Sequence, residues 1–313
     1  MLFRASAPGS LMLLGEYAVL HGKHALVCAV NKRMTVTLTP RNDQVITIDS
    51  ALGRVETVVS KIKITPPFKF VFAALKYFHK QLKFGCDIRI ESEFSDQVGF
   101  ASSAAVTVAT LSALSAWLNV TMSSVELAQT ARAIVRKVQG LGSGADVAAC
   151  VFGGVVTYRA RPFTIQKEVS SFPITVMYSG SKTPTVEAVT RVQNYFCSRP
   201  KLFKQICQGI DECAIEGARA MQQKNVSTLA EIMNIQQGLM SALGVSTPLL
   251  NNMIDELREQ PAILGAKISG SGLGDCVVAL GSLDLAFVSQ YAAQGVNLIA
   301  AEITNQGVLC EKI

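Results

Sequence analysis

Gly99-Phe100-Ala101-Ser102-Ser103-Ala104-Ala105 stands between a strand-like run, Cys86 to Ile90, and a long run of small residues, about Ala104 to Leu118, that reads as a helix. Strand, short loop and helix start in that order can form an anion site. Glycine and alanine let an anion approach the backbone closely. First-turn N–H groups have no partner within their helix, and the helix dipole favours negative charge there. Ser102 and Ser103 add hydroxyls suited to phosphate or Mg2+. The Walker pattern GxxxxGK[ST] is absent. The same residues also fit a capped helix whose small side chains serve only tight packing, so the segment alone leaves both readings open.

Three other segments accompany it. Gly140-Leu141-Gly142-Ser143-Gly144-Ala145-Asp146 puts one carboxylate at the start of an otherwise apolar helix, Asp146 to Val151. Asp146 fits a base for a substrate hydroxyl attacking a phosphate, and equally an acid that only stabilises the helix dipole. Lys267-Ile268-Ser269-Gly270-Ser271-Gly272-Leu273-Gly274-Asp275-Cys276 places three glycines between two strands. Its N–H groups could close over a ligand, or the segment is an ordinary glycine-rich hairpin. Near the N-terminus, a strand over Leu11 to Leu14 runs into a turn holding Glu16, Tyr17 and His21. That cluster fits contacts to a polar substrate, whereas a lone histidine in a loop is more often a surface residue.

Composition narrows the classes. The chain has 313 residues, of which 49% are apolar and 17% charged, so it buries a substantial core. The net charge of +6 is scattered, and there is a single Trp, which argues against nucleic acid and for a mild preference for small anions. The apolar run Val147 to Val156 is cut by Gly153-Gly154, so no membrane span is expected. The eight cysteines form no CxxC pair and fit buried thiols in a reducing compartment. Ser6-Ala7-Pro8-Gly9 and Glu16 interrupt any export signal, so a cytoplasmic location is expected.

Along the chain, short strands are expected over 25–30, 34–39, 45–48, 86–90 and 155–158, with helices over 69–81, 104–118 and 124–138. A strand over 174–178 and a loop holding Lys182 and Thr185 come next. Helices dominate from 185 to about 260. The two strands around the third glycine segment, a helix over 283–294 and two final strands complete the pattern. The mixed order predicts α+β architecture in two packed halves, residues 1–160 and 161–313.

Taken in order, these segments resemble the sequence motifs of the GHMP kinases: Pro8-Gly9 through Gly22, Gly99 to Ala105, and Lys267 to Cys276, with Asp146 where that family keeps its catalytic aspartate. The resemblance implies an N-terminal α/β domain with a left-handed βαβ element, a ferredoxin-like C-terminal domain and a cleft between them. It implies ATP and Mg2+ as cofactors, a small-molecule acceptor, and a homodimer as the assembly to expect. It places the ATP phosphates on Gly99, Phe100, Ala101, Ser102, Ser103 and Ala104, with Ser103 toward the metal. Asp146 is the implied catalytic base. Glu16, Tyr17, His21, Thr185, Gly270, Ser271 and Gly272 are the implied acceptor-binding residues.

Within the family, Gly15-Glu16-Tyr17-Ala18-Val19-Leu20-His21-Gly22 resembles the mevalonate kinase version, with Tyr17 where histidine is usual. So do Gly244 to Pro248 and Thr183 to Val189. This implies transfer of phosphate from ATP to mevalonate in isoprenoid biosynthesis. Gly142 to Ala149 and Gly274-Asp275-Cys276 are closer to phosphomevalonate kinases, the alternative. Phe100 to Ser103 is similar to the mevalonate diphosphate decarboxylases. A non-catalytic nucleotide or metabolite sensor is a third reading. Two departures stand out. Ser10 replaces the usual lysine after Pro-Gly, and Ile134, Val135 and Arg136 stand where a Mg2+-binding glutamate is usual. Lys23, Lys182 and Arg136 are the candidates for the missing positive charge.

Overall fold

The computed structural model describes residues 1–95, 98–283 and 295–313. Along the chain these form β1 (Phe3–Leu14), β2 (His24–Pro40), β3 (Val45–Ser50), β4 (Gly53–Val58), α1 (Lys69–Tyr77), β5 (Cys86–Ser92), α2 (Ser102–Trp117), α3 (Ser124–Gln139), α4 (Ala145–Phe152), β6 (Val155–Ala160) and β7 (Phe163–Glu168). Then come β8 (Ile174–Tyr178), α5 (Thr185–Phe196), α6 (Pro200–Gln222), α7 (Val226–Ala242), α8 (Pro248–Arg258), β9 (Ile263–Ser269), β10 (Cys276–Gly281), β11 (Asn297–Ile299) and β12 (Leu309–Lys312). The helix expected over 283–294 lies, apart from Leu283, outside the described residues.

Two sheets organise the chain. The larger runs β12-β1-β2-β5-β3-β4, with β6 on the other part of β2 and β7 beyond it. The smaller runs β11-β8-β10-β9. The α+β expectation therefore holds, while β7 carries the larger sheet past the division expected at 160/161. Sheet membership changes between 168 and 174, and the last strand, β12, returns to pair with β1. β3 and β5 are parallel neighbours with α1 between them in the chain, a βαβ unit.

The strands expected over 25–30 and 34–39 are one continuous β2. Its register against β1 shifts between Pro8 and Gly9, opposite Asn31-Lys32, so the polar pair that reads as a break is absorbed in a bulge. The helix expected over 69–81 stops at Tyr77.

α2 lies across the inner face of the larger sheet against β1 and β2. Its Ala, Ser and Thr residues are buried on most sides, which small side chains permit without clashing. α3 begins with a complete capping box: the Ser123 hydroxyl accepts from the Glu126 N–H, and Glu126 accepts from the Ser123 N–H. Its apolar stripe, Leu127, Ala128, Ala131, Ile134 and Val135, packs toward α1, α2 and α4. In the second half, α7 and α8 pack on β9.

Candidate active site

The start of α2 is open. Ala101 is in the left-handed region (φ 54°) and no side chain caps the helix, so its first amides are available to an anion. Ser102 and Ser103 line a cavity of about 1050 Å³, which continues past Phe68, Phe94, Ile90 and Val106. That volume suits a nucleotide-sized ligand. Phe100 differs from the other loop residues. Its ring is fully buried and meets Phe94 edge to face, so only its backbone faces the site.

One residue of β1 joins the loop to the carboxylate. The Ser10 N–H donates to the Phe100 carbonyl at 3.2 Å, and the Ser10 hydroxyl donates to Asp146 Oδ1 at 2.9 Å. Gly9 makes the approach possible, because a Cβ there would sit 3.1 Å from Phe100 Cβ. Asp146 occupies the first turn of α4 and keeps part of its surface accessible. Burial pushes its carboxyl above the usual carboxylate range; the Ser10 hydrogen bond and the Lys182 charge oppose that, while the Glu16 charge adds to it.

The third glycine segment closes the other side. Leu273 and Asp275 have positive φ (60° and 70°), as do Gly270, Gly272 and Gly274, so the turn is held in a conformation side chains disfavour. The Asp275 N–H donates to the Ser181 carbonyl at 2.6 Å, and the Thr183 hydroxyl donates to the Leu273 carbonyl at 2.8 Å. The 179–183 loop is thereby tied to this turn, which brings Lys182 within electrostatic reach of both Asp146 and Asp275. Asp275 is 8% exposed. A Cβ on Gly99 would lie 2.6 Å from its Cγ, so only glycine fits at that position of the 99–103 loop. Burial also raises the Asp275 carboxyl, with Lys182 opposing. Its Oδ1 is buried without a hydrogen-bond partner among the described residues.

Other expected acceptor-side residues are placed differently. Glu16 is 3% exposed and is held by Lys267, itself 0% exposed, and by the Gln236 amide. Its carboxylate faces these partners and no open space. The Tyr17 hydroxyl donates to the Ser271 carbonyl at 2.6 Å, linking the first turn to the third glycine segment. Gly270 and Ser271 keep part of their surface accessible, whereas Gly272 is buried under the Val245 carbonyl. Thr185 is exposed at the first position of α5. His21 is exposed, meets Phe203 edge to face and lines a separate cavity. Of the three candidate cations, Lys23 is paired with Asp211 at 3.1 Å, and Arg136 lines the same separate cavity as His21. Lys182 is the one that reaches Asp146.

Ser10, the 99–103 loop, Asp146, Lys182 and Asp275 thus form one cluster. Residues 69–154 match the family model "GHMP kinases N terminal domain", and residues 218–292 match "GHMP kinases C terminal". A mevalonate kinase of Archaeoglobus fulgidus is 34% identical over 277 residues, covering 88% of this chain and 91% of that one. The chain belongs to the GHMP kinase family. A mevalonate kinase of Saccharolobus solfataricus aligns over 99% of both chains at 28% identity. Among solved structures, a Listeria innocua protein, Lin0012, superimposes with a TM-score of 0.88 at 23% identity over the full length of both chains. The GHMP kinase fold explains why four segments far apart in sequence meet at one cleft.

Two members of the cluster were not singled out as site residues from sequence. Ser10 reads as the loss of a lysine, and its hydrogen bond to Asp146 spans 136 positions. Asp275 was visible only as one residue of a glycine-rich turn.

Proposed function

We propose that this chain transfers the γ-phosphate of ATP to the primary hydroxyl of mevalonate. The single observation behind this reading is that Ser10 bonds the anion loop through its backbone and the catalytic carboxylate through its hydroxyl. A phosphate held on the loop and a hydroxyl at Asp146 are therefore neighbours. The acceptor is named from the curated relatives, which are mevalonate kinases over most of the chain.

Phosphoryl transfer asks the protein mainly for positioning and charge. The first-turn amides of α2, which no side chain caps among the described residues, and the hydroxyls of Ser102 and Ser103 hold the phosphates. Asp146 accepts the proton of the acceptor hydroxyl. Its raised pKa makes it a better proton acceptor than an ordinary surface aspartate, while Ser10 keeps enough of it ionised to act. Lys182, whose charge reaches both Asp146 and Asp275, can offset charge passing to the phosphate oxygens.

The residues present fit Mg2+ bound with the nucleotide. The orphaned Asp275 Oδ1 beside Gly99 and the hydroxyl of Ser103 are oxygen donors of the right kind, and Mg2+ needs only one or two from protein when phosphates and water complete its shell. When bound, the metal neutralises charge on the phosphates. Ser103 and Asp275 are the residues that would hold it.

An ADP-release assay with mevalonate, phosphomevalonate, homoserine and galactose tests the proposal. Mevalonate is expected to give the highest kcat/KM. A clear preference for any of the other three removes the acceptor assignment.

A further inference from the structure

Asp146 follows closely on a loop, residues 140–144, that carries three glycines. Such a stretch of backbone does not by itself set the direction of the helix after it. Something else must aim the carboxylate.

Two donors converge on one atom of that loop. The Tyr158 hydroxyl and Arg132 Nε both donate to the Ser143 carbonyl, each at 2.7 Å. A carbonyl oxygen has two lone pairs, so this one is fully used. The Ser143 hydroxyl accepts in turn from the N–H of Ala145, the first residue of α4, at 3.2 Å. Gly144 has φ 97° and lies against both donors: a Cβ there would sit 2.5 Å from Arg132 Cδ and 2.6 Å from the Tyr158 oxygen. The backbone is therefore held three residues before Asp146, with no slack for a larger side chain.

Tyr158 also grips α4 through its ring. It is 1% exposed, shares one apolar cluster with Ala145, Ala148 and Ala149, and meets Phe163 edge to face. Burial pushes its hydroxyl above the ordinary range, with the Arg132 charge opposing, so it remains a donor. β2 ties this brace to the one at Ser10. Tyr158 pairs with Ala25 and Ser10 with Ala29 on that strand. One sheet thus holds the loop before Asp146 from β6 and the carboxylate itself from β1.

We infer that Tyr158 is a positioning residue for phosphoryl transfer, which aims Asp146 at the acceptor hydroxyl by holding the Ser143 carbonyl. The inference rests on Asp146 being the base of the proposed transfer. A misplacement of about 1 Å can cost about 10²-fold in rate, so the loss of one of two anchors is visible in turnover.

The test is Tyr158→Phe, alone and combined with Asp146→Asn, assayed with whichever acceptor of the panel the unaltered chain prefers. Phenylalanine keeps the ring, and Arg132 still satisfies the carbonyl, so the melting temperature is expected to stay within about 3 °C. kcat is expected to fall at least about tenfold, with KM for ATP and for the acceptor unchanged. In the Asp146→Asn background the same substitution is expected to change kcat by less than about twofold, because no base is left to aim. Unchanged kcat in the single variant overturns the inference. So does an undiminished loss in the Asp146→Asn background, which would place the effect somewhere other than Asp146. A melting temperature that falls together with kcat also overturns it, because the hydroxyl would then serve the fold alone. The base assignment fails in a different way: Asp146→Asn by itself would keep its turnover, and this inference would fall with it.

Discussion

Two carboxylate–lysine pairings sit close together in this molecule and differ in nearly everything but charge. Glu16 and Lys267 are both almost fully buried, hydrogen-bonded to each other, and further satisfied by Gln236 and the Ile268 carbonyl. Asp146 keeps an accessible edge, and Lys182 reaches it from an exposed loop. The first pairing has no room for a ligand and cross-links the first turn to β9. The second keeps both side chains within reach of solvent. Solvation, more than residue type, separates a buried structural ion pair from charges placed for the proposed catalytic role.

Four substitutions sharpen that contrast. The largest effect is expected for Asp146→Asn. Loss of the base should lower kcat by about 10²- to 10⁴-fold with nucleotide affinity retained, measured by steady-state turnover and nucleotide titration. Stability should move the other way. Because the native carboxyl is raised above its unfolded value, its ionised form costs stability as pH rises through that window. Asp146→Asn should therefore raise the melting temperature at neutral pH, and the gain should vanish once pH falls below the ordinary carboxylate range. A gain that persists in acid would contradict the burial argument.

Lys267→Met comes next. It leaves Glu16 buried without its counter-charge and should cost about 3–5 kcal/mol in denaturant unfolding. A loss well under 1 kcal/mol would mean that the pair behaves like a surface ion pair.

Lys182→Ala should show the reverse profile, with kcat reduced on the order of 10²-fold and the unfolding midpoint unchanged. If it unfolds the protein while leaving turnover intact, the two pairings have been assigned the wrong way round.

The smallest effect belongs to Ser10→Ala. Its hydroxyl donates to ionised Asp146, so removing it favours the protonated form. The acid limb of the pH–kcat/KM profile should move to higher pH by about one unit. A shift toward lower pH would show that the hydroxyl does not stabilise the charged form.

Much of the fold was legible from local pattern. The helices over 102–117, 124–139 and 145–152 lie within about two residues of their expected limits, because small-residue runs, a capping box and glycine stops act over a few positions. The glycine-serine loop and Asp146 were legible for the same reason: an uncapped helix start and an acid in a first turn are short-range features. Ser10 was legible only as a missing lysine. The burial of Glu16 could not be read, since its partner lies 251 positions away. Neither could the return of β12 to the first sheet, nor the gathering of Arg132, Arg136, Arg159 and Arg161 around one cavity.

By itself the amino-acid order determined which helix starts are open to an anion, which turns need glycine, and where an acid can begin a helix. Those depend on dihedral preferences and hydrogen bonds within one turn of chain. Only the tertiary structure decided which charges are paired in the dark and which meet solvent. That depends on strand register and on what packs over each side chain, and both are set by contacts between residues more than a hundred positions apart.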